Sequence, residues 1–341
     1  MGFAALGTVA GGFGTLAAQT PPPKPRIKIG FLGVSHSHAM GKLKVVQESP
    51  EFERNGISEE SETARQPYRS TDLQFLSKDQ LVNTCSVIAV ESAVRDHARH
   101  AKFALQAGKH VHLEKPPADN FKEFQDLISL ARAKNLLLQT GYMWRYHPGF
   151  IAALQAAKQG WLGAVYLVRA TMNSHVAADR RPEWAEFKGG AMFELGSHLI
   201  DAVVRLLGRP KTVTPFLKNH GSFNDNLADN TMAVLEFANA TAIITNSTLQ
   251  PNAGEHRFLE ILGTNGTVLL KPIEPPVLHI DLAKPAGTYA AGNQAVPLPA
   301  YRRYVGDFAE LARAVRGEQP LTATLEEELL VHETLMRAAA M

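Results

Sequence analysis

Glu194 and His198 stand four residues apart in the run Gly189-Gly190-Ala191-Met192-Phe193-Glu194-Leu195-Gly196-Ser197-His198-Leu199-Ile200-Asp201, so on a helix the two side chains share one face. A carboxylate beside an imidazole raises its basicity and sets its tautomer, which suits a general base working near neutral pH. The plain alternative is an ion pair on a helix surface. Gly189, Gly190 and Gly196 would let such a helix approach a cofactor or a sheet closely. A third group stands far away in sequence, where Glu114-Lys115-Pro116 ends the apolar run 110–113. In an open parallel sheet the carboxyl end of a strand is where ligands bind. A lysine buried there stays charged only against an anion or a developing alkoxide; the ordinary alternative is a surface lysine just past a strand.

A dinucleotide-binding fold carries G-x-G-x-x-G between its first strand and first helix, and the matching position here reads Gly33-Val34-Ser35-His36-Ser37-His38. Only the first glycine is kept. Ser35 is small enough for the backbone to approach a pyrophosphate, and Ser37 is a candidate cap for a helix whose N–H groups face an anion. His38 stands where glycine normally permits close helix–strand packing. Taken alone, the turn also fits an ordinary strand-to-helix connection. His36 and His38 hint at a metal, but two residues apart on a helix they diverge by about 200°, and no metal is expected. Glu59 lies 26 residues after Gly33, close to the ~20-residue interval of an acid that binds the adenosine ribose. A carboxylate there accepts from a 2′-hydroxyl and repels a 2′-phosphate, favouring NAD over NADP; a solvated glutamate beside Glu60 and Glu62 is the alternative.

The elements that must position these groups follow from periodicity. Apolar runs at 27–32, 86–90, 110–113 and 136–139 alternate with helical spacing at 38–48, 94–107 and 120–134, a rhythm that implies a parallel sheet. After Gly141 it changes to long strand candidates at 165–173, 231–237, 241–247 and 258–262, with Asn265-Gly266 as a hairpin turn. The second half is therefore expected to hold a largely antiparallel sheet. Thr324-Leu325-Glu326-Glu327 is a capping box that opens the last helix.

The 341 residues, 45% hydrophobic and 20% charged, are enough for two domains with a large core. A net charge of +2 from 35 basic and 33 acidic residues, without clustering, argues against nucleic acid. The single Cys85 excludes an internal disulfide framework and cysteine-rich zinc sites. Residues 1–20 carry no charge and end in small residues, which reads as a truncated export signal lacking its basic start, followed by a stiff spacer at Pro21-Pro22-Pro23-Lys24-Pro25. An export signal places the protein in the periplasm or outside the cell; otherwise it is cytoplasmic. The segment is too rich in glycine for an integral membrane span.

Two segments, Ala107-Gly108-Lys109-His110-Val111-His112-Leu113-Glu114-Lys115-Pro116 and the run from Gly189 to Asp201, together resemble the Gfo/Idh/MocA family of oxidoreductases. Supporting matches are His97 after the fourth strand, Arg145-Tyr146-His147-Pro148 after the sixth, and Gly160-Trp161-Leu162-Gly163. The sequence departs from the family in Glu194, where aspartate is common, and in Ser92-Ala93-Val94, where the family often has a T-P-N turn against the nicotinamide. Beyond the truncated export signal and Pro-rich spacer read at 1–25, the resemblance, which spans roughly Ile27 to Ala339, implies a Rossmann-type parallel-sheet domain at 26–141 and an α+β domain with a large, mainly antiparallel open sheet at 142–341. It implies NAD held by Gly33, Ser35, His36, Ser37, His38, Glu59, Ser92, His97, Glu114 and Lys115. Catalysis falls to Lys115, His198 and Glu194, and a carbohydrate contacts Tyr142, Trp144, Arg145 and Trp184. The implied activity is hydride transfer between a secondary hydroxyl of a sugar, polyol or glycoside and the nicotinamide, in a homodimer or homotetramer. An exported NAD-dependent glycosidase using transient oxidation is the alternative, and an inactive sugar-binding sensor a further one.

Overall fold

The computed structural model describes residues 1–2, 24–70 and 73–341. The expected export signal therefore lies almost wholly outside the described residues. The first unit alternates strand and helix: β1 (Ile27–Leu32), α1 (Ala39–Glu48), β2 (Phe52–Ser58), α2 (Glu62–Arg65), α3 (Lys78–Thr84), β3 (Val87–Val90), α4 (Val94–Gln106), β4 (His110–Leu113), α5 (Phe121–Ala133) and β5 (Leu138–Thr140). All pairings are parallel, in the order β2-β1-β3-β4-β5. The strands from β3 to β5 are buried nearly throughout, as a sheet covered on both faces requires. The sheet has five strands, so His97 follows the third strand and Arg145 the fifth, not the fourth and sixth. The stretch around Phe75 meets β2 only through an isolated bridge to Ile57 and forms no strand.

The second unit comprises α6 (Pro148–Lys158), β6 (Val165–Thr171), α7 (Arg181–Ala185), α8 (Gly190–Glu194), α9 (Gly196–Leu207), β7 (Thr212–Lys218), β8 (Asn230–Glu236), β9 (Thr241–Ser247), β10 (Phe258–Gly263), β11 (Gly266–Leu270), β12 (Leu278–Leu282), β13 (Gly292–Val296), α10 (Val305–Val315) and α11 (Leu325–Ala338). Its eight strands run β13-β12-β11-β10-β6-β9-β8-β7, antiparallel except for the parallel β6–β9 pair. One face carries buried residues such as Val168, Ala233, Ile244 and Ile261 against the helices. Val234, Ile243 and Arg169, cross-strand neighbours on the other face, are partly or fully exposed.

The last two helices return to the first unit. Phe308 on α10 packs edge-on against Phe52 at 5.8 Å and lies 4.8 Å from His112. At the start of α11, Thr324 and Glu327 form both arms of the expected capping box. No helix of the described residues is long and apolar enough to cross a membrane.

Candidate active site

Gly33 leaves β1 with φ +75°, and a Cβ there would lie 2.4 Å from Ser92 Cβ, so only glycine fits where the turns after β1 and β3 touch. Glu59 follows β2 and accepts the backbone N–H groups of Val34 and Ser61, each at 2.9 Å. Between these turns is a cavity of ≈ 200 Å³ whose lining includes Gly33, Ser35, Glu59, Ser92, Arg99 and His100. The Ser92 hydroxyl and both ring nitrogens of His100 are buried without a partner. A cleft with a tight glycine turn, a fixed carboxylate and open polar atoms fits the ribose and phosphate portion of a dinucleotide. Two cations border it, each already neutralised: Lys78 by Glu60 and Arg99 by Asp96. Ser37 does not cap α1, whose cap position is His38 with no side-chain bond, and Ser35 and Ser37 are both exposed.

His36 and His38 do not lie on a helix, as the sequence spacing suggested. They occupy the turn before α1 with ring centroids 4.7 Å apart, because His36 Nδ1 accepts the His38 backbone N–H at 3.3 Å. Together with Glu114 they offer three ligand atoms within 4.8 Å of one another. Glu114 is fully buried; one oxygen lies 3.1 Å from His38 Nδ1 and the other accepts from the Lys42 ammonium. Both of its oxygens are thus engaged beside the turn, by His38 and Lys42. Lys42 also reaches Glu91 at 2.7 Å and lies 2.9 Å from His112 Nε2. Burial opposes charge on Lys42, but Glu114 and Glu91 outweigh it and hold the ammonium above the ordinary lysine range. Burial likewise opposes charge on Glu114, and there Lys42 and His38 win, keeping it ionised. Burial pushes Glu91 up, since one ammonium cannot satisfy two buried carboxylates equally.

His97 is fully buried on α4, with Nδ1 2.7 Å from the Pro116 carbonyl and Nε2 2.9 Å from that of Ser92. Burial keeps the ring below the usual imidazole range, so the neutral ring donates to one carbonyl at a time. It links the loop that carries Lys115 to the loop that carries Ser92.

Lys115 leaves β4 and is almost fully buried, its ammonium 3.3 Å from the Glu194 carbonyl oxygen and 3.5 Å from the Glu194 carboxylate. The sequence reading paired Glu194 with His198 instead. No such bond forms: the helix is interrupted at Leu195 between α8 and α9, and His198 Nδ1 is buried without a partner. Burial, then the Lys115 charge, hold His198 well below the usual imidazole range, so at neutral pH it is an unprotonated acceptor rather than a ring made basic by a carboxylate. Burial raises Glu194, partly offset by Lys115. Trp144 backs His198, with ring centroids 5.0 Å apart, and stacks on Phe150 at 5.0 Å. Tyr142 lies edge-on to His198 at 6.0 Å, and its buried hydroxyl has no partner. The glycines around α8 serve contact with the sheet and the C-terminal helix: Cβ atoms at Gly189, Gly190 and Gly196 would strike Ala339, Ala228 and Met192.

Arg145, expected to bind a sugar hydroxyl, is nearly fully buried and committed elsewhere. Its guanidinium donates to Asp201 at 2.7 and 2.9 Å and to both Glu328 oxygens at 2.6 and 2.8 Å. Trp184 is half-buried on α7 and packs against the core. Lys42 and Glu91 were missed, yet both leave a trace in the sequence. Lys42 falls on the apolar stripe Ala39, Leu43, Val46 of α1, and Glu91 ends an apolar strand as Glu114 does.

Residues 27–142 match the model of an oxidoreductase family with an NAD-binding Rossmann fold, and residues 150–269 match the GFO/IDH/MocA C-terminal domain. An uncharacterized oxidoreductase of Schizosaccharomyces pombe is 30% identical over 176 residues, 49% of this chain and 46% of its own length. The scyllo-inositol 2-dehydrogenase (NADP(+)) IolW of Bacillus subtilis is 25% identical over 240 residues, 67% of this chain and 64% of its own. The chain thus spans about half to two thirds of the length of these curated relatives. The solved UDP-N-acetylglucosamine 3-dehydrogenase GnnA of Acidithiobacillus ferrooxidans shares the fold, with TM-score 0.78 at 20% identity, covering 93% of this chain and 98% of that one. With both domain models matched in order over the two sheets, the chain belongs to the Gfo/Idh/MocA family of NAD(P)-binding oxidoreductases.

Proposed function

We propose that the protein is an NAD-dependent dehydrogenase of a secondary hydroxyl on a sugar, polyol or glycoside. The observation that carries this reading is the convergence of Lys115 from the first unit with Glu194 and His198 from the second. Gly33, Glu59 and Ser92 would hold the dinucleotide, whose nicotinamide, when bound, supplies the hydride acceptor. Glu59 favours NAD because its carboxylate would accept from a ribose hydroxyl and repel a phosphate.

His198 takes the hydroxyl proton at an unprotonated ring nitrogen. Lys115 donates to the oxygen as negative charge grows there. Glu194 keeps the ammonium in place until substrate arrives, and the Trp144 ring excludes water behind His198. The partly apolar outer face of the second sheet, where Val234 and Ile243 lie side by side with Phe216 nearby, supports a homodimer or homotetramer built through it.

The test is to denature the purified protein, identify any released cofactor by mass and absorbance, titrate apo protein with NAD and NADP, and assay a panel of sugars and polyols for reduced cofactor. Tighter binding of NAD and net reduction with a member of the panel support the reading. Tighter binding of NADP removes Glu59 from its role, and glycoside cleavage without net reduction replaces the dehydrogenase with a redox glycosidase.

A further inference from the structure

Arg257 belongs to the second unit. It is half-buried just before β10, and its Nε donates to the Asn173 carbonyl at 2.9 Å. Among the described residues its two terminal nitrogens have no protein partner and no carboxylate pairs with it. Burial, then the charge of Arg303, lower its pKa.

Arg303 lies in the segment 301–304, which crosses between the two units. At one end the Tyr301 ring sits 4.4 Å from His147, and its hydroxyl donates to the Met143 carbonyl at 3.2 Å. At the other end the Tyr304 ring lies 5.5 Å from His38 of the nucleotide turn. Arg303 uses Nε and one terminal nitrogen on Glu274, which leaves the other terminal nitrogen free. Its charge is felt at His198, at His147 and at Arg257.

The floor of the same region is the sheet end that carries Arg257. Asn246 on β9 donates to the Met172 carbonyl at 2.9 Å, beside Asn173, and a Cβ on Gly196 would lie 2.9 Å from its side-chain oxygen. Gly196 is two residues before His198. The charges felt at His198 include the cations Lys115 and Arg303 and the carboxylate Glu114, and Arg303 is felt in turn at Arg257.

We propose that the substrate carries an oxyanion, a carboxylate or phosphate on the sugar or polyol, and that Arg257 and Arg303 bind it beside His198. This rests on the dehydrogenase reading and specifies its substrate class. Guanidinium forks suit such groups because they donate two parallel charged hydrogen bonds. The cofactor's own phosphates do not explain Arg257. On the proposed reading they bind at the Gly33–His38 turn of the first unit, whereas Arg257 immediately precedes β10 of the second sheet.

The test uses the full chain loaded with NAD. Binding is read by calorimetry and turnover by cofactor absorbance, for neutral hexoses and inositol, the matching hexuronates, and hexose 6-phosphates. One anionic class should bind ~10- to 100-fold tighter than its neutral parent, the value of a charge-assisted hydrogen bond or two, and which class does so distinguishes carboxylate from phosphate. Arg257→Gln should remove that advantage while leaving NAD affinity and the neutral sugars within about threefold of the parent. Arg257→Lys, which keeps the charge and loses the fork, should fall between them. Equal or weaker binding of both anionic classes overturns the proposal, as does an Arg257→Gln variant that loses NAD affinity instead. A failure of the dehydrogenase reading is distinguishable: there NAD does not bind or no member of the panel is oxidised, while calorimetry still reports whether the anions bind through Arg257.

Discussion

The Lys115 ammonium, carried at the end of β4, lies 3.5 Å from the carboxylate of Glu194 at the end of α8, so the two units meet through a buried ion pair at the candidate reaction centre. Glu194 therefore acts on Lys115 and not on His198. Replacing Glu194 with Gln keeps the shape and the carbonyl contact but removes the charge. Turnover should fall by roughly tenfold, less than for loss of a general acid–base group. Because burial raises Glu194, its carboxylate becomes neutral as pH falls through a value above the ordinary carboxylate range. The parent's pH–rate profile should bend there and that of Glu194→Gln should not. A variant that keeps the bend assigns it to another group.

Gly33→Ala places a methyl group where Ser92 already sits and demands positive φ from alanine. The turns after β1 and β3 must separate, and that contact borders the cofactor cleft. NAD affinity, measured by titration, should drop at least ~10-fold, corresponding to more than about 1 kcal/mol. Unchanged affinity would move the cofactor away from this turn.

His332 on α11 is fully buried against Phe124, with neither ring nitrogen partnered, and burial pushes its pKa down to about 3. His112 is lowered to about 3 as well, by burial and then Lys42. An unfolded histidine titrates near ~6.5. Below that pH the unfolded chain binds more protons than the folded one, so stability is full above about pH 6.5 and declines as pH falls toward 3. Each such group contributes a slope of up to ~1.4 kcal/mol per pH unit. His332→Leu should flatten the decline between pH 6.5 and 4 in urea unfolding. An unaltered slope would show that His332 is not protonated on unfolding.

Arg145→Met breaks a buried cluster and leaves Asp201 and Glu328 without their shared cation. Removing one partner of a buried pair costs about 3–5 kcal/mol, which a denaturant midpoint will show. Substrate KM of the folded enzyme should stay near the parent's. A raised KM with unchanged stability would restore Arg145 as a sugar ligand.

Much of the first sheet was legible because its strands are apolar on both faces and end at Gly33, Glu114 and Gly141, where punctuation is strong. Strands β7, β12 and β13 were not read. The first and last lie at the edges of the second sheet, and β13 is Gly-Asn-Gln-Ala-Val, with little apolar alternation. At the site, Lys115 and His198 were visible from their motifs, whereas the identity of their partners was not. Spacing of four predicts proximity on a helix, but it does not reveal that a lysine from 79 residues away claims the carboxylate first. The same limit explains Arg145, whose acids lie 56 and 183 residues distant, and the His36–His38 pair, whose helical spacing did not hold in a turn.

The central claim is that Lys115 and His198 handle the reacting oxygen while the first unit holds the dinucleotide. Single-turnover rates and NAD affinities of Lys115→Ala and His198→Ala, measured side by side on the best substrate of the panel, test it most directly. The account predicts that each variant loses roughly 10²–10⁴-fold in the rate of cofactor reduction, with NAD affinity changed by no more than a few fold. A parental rate in His198→Ala, or a Lys115→Ala variant that loses NAD binding while its residual chemistry is unchanged, would contradict it.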